Sequence, residues 1–317
     1  GKNTIECMRN GIMLGNAAIA QGAYEAGVKV SAAYPGTPST EISECIAKYP
    51  EVYAEWSPNE KVAMEVAIGA SIAGARAMAS MKLVGVNVAS DPLYSISYAG
   101  VNGGLVLVAA DDPGIYSSQN EQDTRMVARA AMVPVLEPSD SEEARIFTKL
   151  AFTYSEKYDT PVIVRTTTRL SHSQGVVHPE ERENVPDKPY EKNVLMPANA
   201  KKRHVIVEQR LKQMAEDACH FDINRVEYRD KKIGIITSGI PYQYVREALP
   251  DASVLKLGLV HPLPKKLIEE FAANVETLYI VEELEPVIEE QVRSWGIPVI
   301  GKEIFTVQGE YSANMLR

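Results

Sequence analysis

The 317-residue chain is poor in cysteine and in positive charge, and it has no long apolar run. Its three cysteines, Cys7, Cys45 and Cys219, lie far apart with no CxxC pair. That excludes a locally encoded iron–sulfur or zinc site and offers no disulfide framework, a usage that fits a reducing cytoplasm. Lysine and arginine number 33 against 42 aspartates and glutamates, a net charge of -9, and no basic run is present. A nucleic-acid or anionic-membrane surface is therefore excluded as the main activity. No segment approaches the length of a membrane span, and the opening GKNTIECMRN lacks the apolar core of a signal peptide, so the sequence reads as soluble and unexported. No solenoid repeat and no G-x-G-x-x-G turn after a strand occurs. Gly69 and Gly74 have the outer spacing of a phosphate loop, but Ala75-Arg76 stands where Lys-Ser/Thr is required. Spacing builds neither a serine–histidine–acid arrangement nor a metal signature, so no metal ligand is assigned.

What is present is an ordinary globular composition, 45% hydrophobic and 24% charged, long enough for two domains with their own cores. Helix and strand patterns alternate from Leu14 to about residue 180, and several strands are apolar on both sides. This predicts a mainly parallel sheet covered by helices on both faces. The stretch from about 181 to 230 is polar and proline-bearing, then a charged amphipathic helix from His204 to His220, and reads as a linker. A smaller α/β pattern over 231–317 predicts four short parallel strands with intervening helices.

Candidate chemistry concentrates in Ser57–Asp91. Ser57 is read as a helix cap, with Pro58 in the first turn and Glu60 three residues on. Ala63, Ala67, Ala70 and Gly74 recur at helical spacing, so that face invites a close partner. Glu60 has two readings, a capping-box residue or a working carboxylate whose pKa is raised by desolvation. Before this helix, Tyr34-Pro35-Gly36-Thr37-Pro38 makes a turn at the end of a strand, where open α/β sheets bind ligands. Lys82 to Asn87 leaves another strand as a loop, with helix predicted from Asn87 to Gly100. Lys82 could meet a carboxylate or extend its amine to water. A polar helix is predicted over Gln119–Ala131, and its Arg125 could grip a carboxylate bidentately or lie on a solvated face. Asp111-Asp112 reads as a turn. His172 and His261, each at a strand end, read as structural.

Three stretches carry a resemblance: YPGTPSTE at 34–41, NEKVAMEVAIGASIAGARA at 59–77 and MKLVGVNVASDP at 81–92. They are similar to the pyrimidine-binding domain of the thiamine-diphosphate-dependent 2-oxoacid:ferredoxin oxidoreductases. The part containing LGLVHPLP resembles that family's transketolase-C-terminal-like domain, so the resemblance covers essentially the whole chain. MKLVGVNVASDP points to the indolepyruvate branch, since sister branches carry a serine- and glycine-rich loop there.

The resemblance implies an α/β fold, a thiamine-diphosphate pyrimidine-binding-type parallel-sheet domain followed by a smaller transketolase-C-terminal-like domain. It implies oxidative decarboxylation of aryl pyruvates to acyl-coenzyme A, with ferredoxin as electron acceptor. Pyruvate or 2-oxoglutarate is the alternative substrate, and a non-catalytic α/β binding module is the alternative class. Glu60 matches the catalytic glutamate that hydrogen-bonds N1′ of the aminopyrimidine, and Thr37 matches a threonine close to the substrate carboxylate. Tyr34, Pro35, Gly36, Lys82 and Asn87 become cofactor-pocket candidates, and Arg125 a substrate-binding candidate. The family's GDG…N magnesium motif and CxxCxxC clusters do not appear here. Magnesium and the iron–sulfur clusters would thus come from a diphosphate-binding domain and an iron–sulfur domain outside this sequence, with a small gamma/beta-type subunit, ferredoxin and coenzyme A as further partners in an oligomer. The chain alone is expected not to turn over.

Overall fold

A computed structural model describes residues 7–9, 11–116, 118–190 and 197–317. A short hairpin, β1 (Met8–Arg9) and β2 (Ile12–Leu14), leads into α1 (Gly15–Glu25), and Gly27, at φ +78°, stops that helix's run. Strands and helices then alternate: β3 (Val30–Ala33), α2 (Thr40–Ile46), β4 (Tyr53–Trp56), α3 (Glu60–Ile72), β5 (Ala77–Lys82) and α4 (Leu83–Ala99). β6 (Leu105–Asp111), α5 (Thr124–Ala131), β7 (Val135–Leu136), α6 (Ser141–Tyr158), β8 (Val162–Thr167), α7 (Thr168–His172) and β9 (Gln174–Val176) complete the first part. α6 has sharp local signals at both ends, since Asp140 accepts from the Glu143 amide and Asp159 ends it in the left-handed region.

The second part comprises α8 (Pro197–Ala218), β10 (Arg225–Glu227), β11 (Asp230–Ser238), α9 (Pro241–Ala248), β12 (Ala252–Leu257), β13 (Leu259–His261), α10 (Lys265–Ala273), β14 (Thr277–Val281) and α11 (Val287–Ser294). Its sheet has the order β10-β12-β11-β14, with three parallel strands and an antiparallel edge. The fourth parallel strand expected at IPVIG is reduced to one bridge, Tyr279 to Ile300. Pro298 cannot donate to a ladder, which limits that pairing.

The main sheet has the order β13-β7-β8-β6-β5-β3-β4. All its pairs are parallel except β13 on β7, so the second part lends an edge strand to the first. The β6 run is buried from end to end, as strands covered on both faces must be. One face packs on α1, α2 and α6; the other packs on α3, α4 and α5 and runs on into Ile236, Leu255, Val260 and Ile268 of the second part. The two parts therefore share one apolar cluster.

Several local expectations are corrected. Residues 181–190 do not hang free: Glu183 N donates to Glu25 O, Lys188 N to Gly74 O, and Arg182 reaches the carbonyls of Tyr24 and Val28. Residues 191–196 lie outside the described residues. The small-residue face of α3 does not look outward. Ala63 and Ala67 are fully buried against α4, β3 and β5 of the same chain, so the close partner it invited is this chain's own sheet. Cys7 and Cys45 are joined as a disulfide, because the β1–β2 hairpin folds back over α2.

Candidate functional site

After β3 the chain turns onto the α1–α2–α6 face, and after β5 it turns onto the α3–α4 face. β3 and β5 are adjacent, so their carboxyl ends flank the point where the connections diverge. Such a switch point leaves a crevice that ligands use in open α/β sheets. Tyr34, Pro35 and Thr37 are exposed at the end of β3, Lys82 is the last residue of β5, and α3 begins just past the end of β4.

Glu60 is the first residue of α3, and Asn59, not Ser57, is its cap, accepting from the Val62 amide at 3.0 Å. Ser57 fails as the cap because its own N–H donates to Ala33 O at 2.8 Å, which holds it in the sheet ladder. The carboxylate therefore stands at the helix entrance, beside the positive end of the dipole. It presses against Gly85 in the first turn of α4, where a Cβ would fall 2.6 Å from Glu60 Cγ and 2.9 Å from Oε1. Glu60 is half-buried, and among the described residues no hydrogen bond or ion pair reaches its carboxylate.

The turn after β3 is closed internally. Ser39 N and Oγ both donate to Gly36 O, at 2.8 and 2.9 Å, and Gly36 N donates to Thr40 Oγ1 at 3.1 Å. Gly36 lies on the stem of half-buried Lys82, whose Cδ would sit 3.0 Å from an added Cβ. The expected loop after Lys82 does not exist. β5 passes directly into α4, so Leu83 to Asn87 are helical, and exposed Asn87 donates to Gln122 Oε1 at 3.0 Å. The structure thus brings the Tyr34–Thr37 turn, Lys82, Gly85 and Glu60 to one mouth, with Asn87 and Gln122 on its rim.

Arg125 is not there. Only Thr124–Ala131 of the expected helix forms, because Asp123 caps it and Asp111 takes the Thr124 amide. Arg125 points into the seam between the two parts and is 1% exposed. It is paired with Asp123 and with Glu282, each at 2.7 Å, and donates to the carbonyls of Glu283 and Glu285. With those donors engaged inside the protein, it is not a substrate-binding residue. Beside it, buried Arg165 pairs with Asp111 at 2.6 Å and Glu137 at 2.8 Å. Burial pushes the Glu283 carboxyl up to about 7, and burial with the Arg129 charge holds His261 down at about 4.

Gly85 and Gln122 escaped notice in the sequence. A glycine in the first turn of a helix, where propensity disfavours it, was the available signal for the first. Nothing local marks Gln122, whose partner lies 35 residues away.

Comparison with known proteins was made against this geometry. The family model described as pyruvate flavodoxin/ferredoxin oxidoreductase, thiamine diphosphate-binding, matches residues 21–233. Indolepyruvate oxidoreductase subunit IorA of Archaeoglobus fulgidus is 47% identical over 311 residues, covering 92% of this chain and 49% of that protein. The subunit of the same name from Thermococcus kodakarensis is 46% identical over 318 residues, with coverage of 92% and 49%. The chain thus spans about half the length of the curated relatives it matches. Among solved structures, the 2-oxoglutarate:ferredoxin oxidoreductase of Magnetococcus marinus with 2-oxoglutarate, coenzyme A and succinyl-CoA bound superposes with a TM-score of 0.81 at 20% identity, covering 96% of this chain and 64% of that one.

Proposed function

Because the chain belongs to the thiamine-diphosphate-binding family of pyruvate flavodoxin/ferredoxin oxidoreductases, we propose that the mouth formed by Glu60, Gly85, Lys82 and the Tyr34–Thr37 turn holds the aminopyrimidine end of thiamine diphosphate. The observation that carries this reading is the placement of Glu60: a carboxylate at a helix entrance, packed on a glycine, with no donor among the described residues reaching it. Among the described residues no donor is supplied to it, and a protonated ring nitrogen would suit it. Exposed Tyr34 and Trp56, at the ends of adjacent strands, offer flat surfaces beside it.

When bound, thiamine diphosphate supplies the nucleophilic carbon and electron sink through which a 2-oxoacid loses carbon dioxide. This chain's part is to share a proton at the Glu60 carboxylate and to fix the ring against Gly85 and the β3 turn. Helical Asn87, joined to Gln122, lines the rim, and the Thr37 hydroxyl faces the substrate's carboxylate.

The substrate we propose is an aryl pyruvate of the indolepyruvate type, with acyl transfer to coenzyme A and electrons passed to ferredoxin. Archaeal relatives named for indolepyruvate, 46–47% identical to this chain, support that choice. Among the described residues no group of three His, Cys, Asp and Glu side chains converges as a metal site. We propose that magnesium, the diphosphate and the iron–sulfur clusters are held by partner domains and a second, smaller subunit in an oligomeric assembly. No described helix is long and apolar enough to cross a membrane, and we place the assembly in the cytoplasm.

The test is Glu60→Gln in the full-length subunit assembled with its partners. Exchange of the C2 proton of bound thiamine diphosphate, followed by NMR, is expected to slow by about 10²–10⁴-fold, with the urea midpoint nearly unchanged. Exchange at the wild-type rate would refute the catalytic reading of Glu60.

A further inference from the structure

Asn16 is the second residue of α1, and no role in the site follows from its place in the sequence. In the fold it is fully buried and lies directly behind the turn that carries Thr37. Its Nδ2 donates to Pro38 O at 2.5 Å and to Glu41 Oε2 at 3.0 Å. Both partners are acceptors, which fixes the amide's orientation, because an oxygen placed there would face a carbonyl and a carboxylate. Oδ1 then points the other way and has no hydrogen-bond partner. A buried acceptor left unmade carries a cost. The side chain is therefore held by what Nδ2 does.

The surroundings keep that amide in place. Gly15 packs so tightly on α7 that an added Cβ would fall 2.1 Å from Leu170 O, and its N–H donates to Ser173 O at 3.1 Å. These contacts lock the first turn of α1 under the Gly36–Ser39 turn. On the far side, Oε1 of Glu41 lies 3.8 Å from His172 Nε2, beyond hydrogen-bond distance. Pro38 is buried and Thr37 is exposed. The Asn16 bond thus grips the turn at its buried carbonyl and leaves the Thr37 side chain to project from the opposite face. The turn's own bonds close Gly36 onto Ser39 and Thr40. Among the described residues, Asn16 is the side chain that ties Pro38's carbonyl to a different element of the fold.

We propose that Asn16 is a positioning residue for the Gly36–Ser39 turn, and that through Pro38 and Glu41 it sets how tightly the site holds the carboxylate end of its 2-oxoacid. The second half of this rests on the reading of Thr37 given above; the first half does not. Asn16→Asp is the sharpest variant, since it keeps the shape and replaces the donor with a charge facing two acceptors. Glu41→Gln supplies a donor to that new carboxylate, so N16D/E41Q should recover the 16–41 bond, while Pro38 O still faces an acceptor.

Two measurements on the full-length assembly separate the layers. Amide hydrogen exchange should quicken roughly tenfold or more at Thr37, Ser39 and Thr40 in N16D, stay at wild-type rates in the middle of α1, and return only part of the way in N16D/E41Q. If N16D instead loosens the whole domain, Asn16→Ala, which removes the donor without adding charge, must quicken the turn alone. Wild-type exchange at the turn in N16A overturns the proposal. In steady state, N16D should raise KM for the 2-oxoacid by about tenfold with a smaller change in kcat and with thiamine diphosphate affinity unchanged. A change in kcat alone overturns it as well. Should wild-type enzyme bind no thiamine diphosphate, the functional reading falls, and the exchange result still decides the role of Asn16.

Discussion

The mouth of the main sheet and the seam between its two parts both gather charged side chains, but they treat them oppositely. In the seam, Arg125 is engaged by carboxylates and carbonyls of the chain itself and Arg165 by two carboxylates, with one buried nitrogen of Arg165 left unpartnered, and Asp111, Asp123 and Glu282 are held in return. At the mouth, Glu60 rests on a glycine and receives no protein donor among the described residues. The difference separates two uses of charge. Where every partner is internal, the cluster fixes how the two parts dock. Where a carboxylate is placed with care and left without an internal donor among the described residues, we read the missing donor as a ligand's.

The comparison breaks most visibly in the seam. Arg125→Met would leave the buried Asp123 and Glu282 carboxylates without their guanidinium, and removing one member of a buried pair costs about 3–5 kcal/mol. We expect a loss of that size in urea unfolding of R125M, against a change within about 0.5 kcal/mol for E60Q. Equal stability of R125M and wild type would mean that the seam is not held by charge.

Next is the pH dependence of the same region. Glu283 accepts the Tyr311 amide at 2.8 Å, and its carboxyl is raised from 4.5 to about 7 by burial. A raised acid binds its proton more tightly in the folded chain, so its contribution is complete below about pH 4.5 and is lost as pH rises through about 7. Glu283→Gln stays neutral throughout. Its stability relative to wild type should climb between pH 5 and pH 8, by on the order of 3 kcal/mol at most. A difference that stays flat with pH would remove Glu283 from the set of strained groups. His261, held down at about 4, acts in the opposite sense, losing stability as pH falls from about 6.5 toward 4.

These contrasts also show what a sequence can disclose. The bounds of α6 are legible because Asp140 and Asp159 act within one turn of the helix they limit. The start of α3 is not, since Ser57 and Asn59 are both good caps and the choice is made by Ser57's bond to Ala33, on another strand. Glu60 as a candidate acid was legible, through its motif. Its contact with Gly85 was not, because it needs the packing of α3 on α4. Arg125 misled for a related reason. A polar stretch looks the same whether its arginine faces water or an acid 157 residues away. The alanine-rich face of α3 announced a close approach without naming the approaching backbone.

Gly85→Ala sharpens the mouth. Its Cβ would meet Glu60 Cγ at 2.6 Å, so the flexible glutamate must move while the helix itself gains propensity. We expect unchanged or slightly higher stability together with a fall of roughly tenfold in cofactor affinity, measured by calorimetry on the assembled enzyme. Full affinity in G85A would show that the position of Glu60 does not matter to the ligand.

The smallest effect is expected one residue further along the same helix. Lys61 reaches Asp91 of α4 at 3.1 Å, and both side chains are solvent-exposed. On a contact diagram this pair resembles those in the seam, and it stands next to Glu60. Water screens it and competes for both ends, and exposed pairs of this kind commonly contribute nothing measurable. Lys61→Ala should therefore leave the urea midpoint where it was at both 20 mM and 500 mM salt. A loss that disappears at high salt would mean that this pair clamps α3 to α4 and helps aim Glu60, and the division between the two regions would then have to be drawn through the mouth itself.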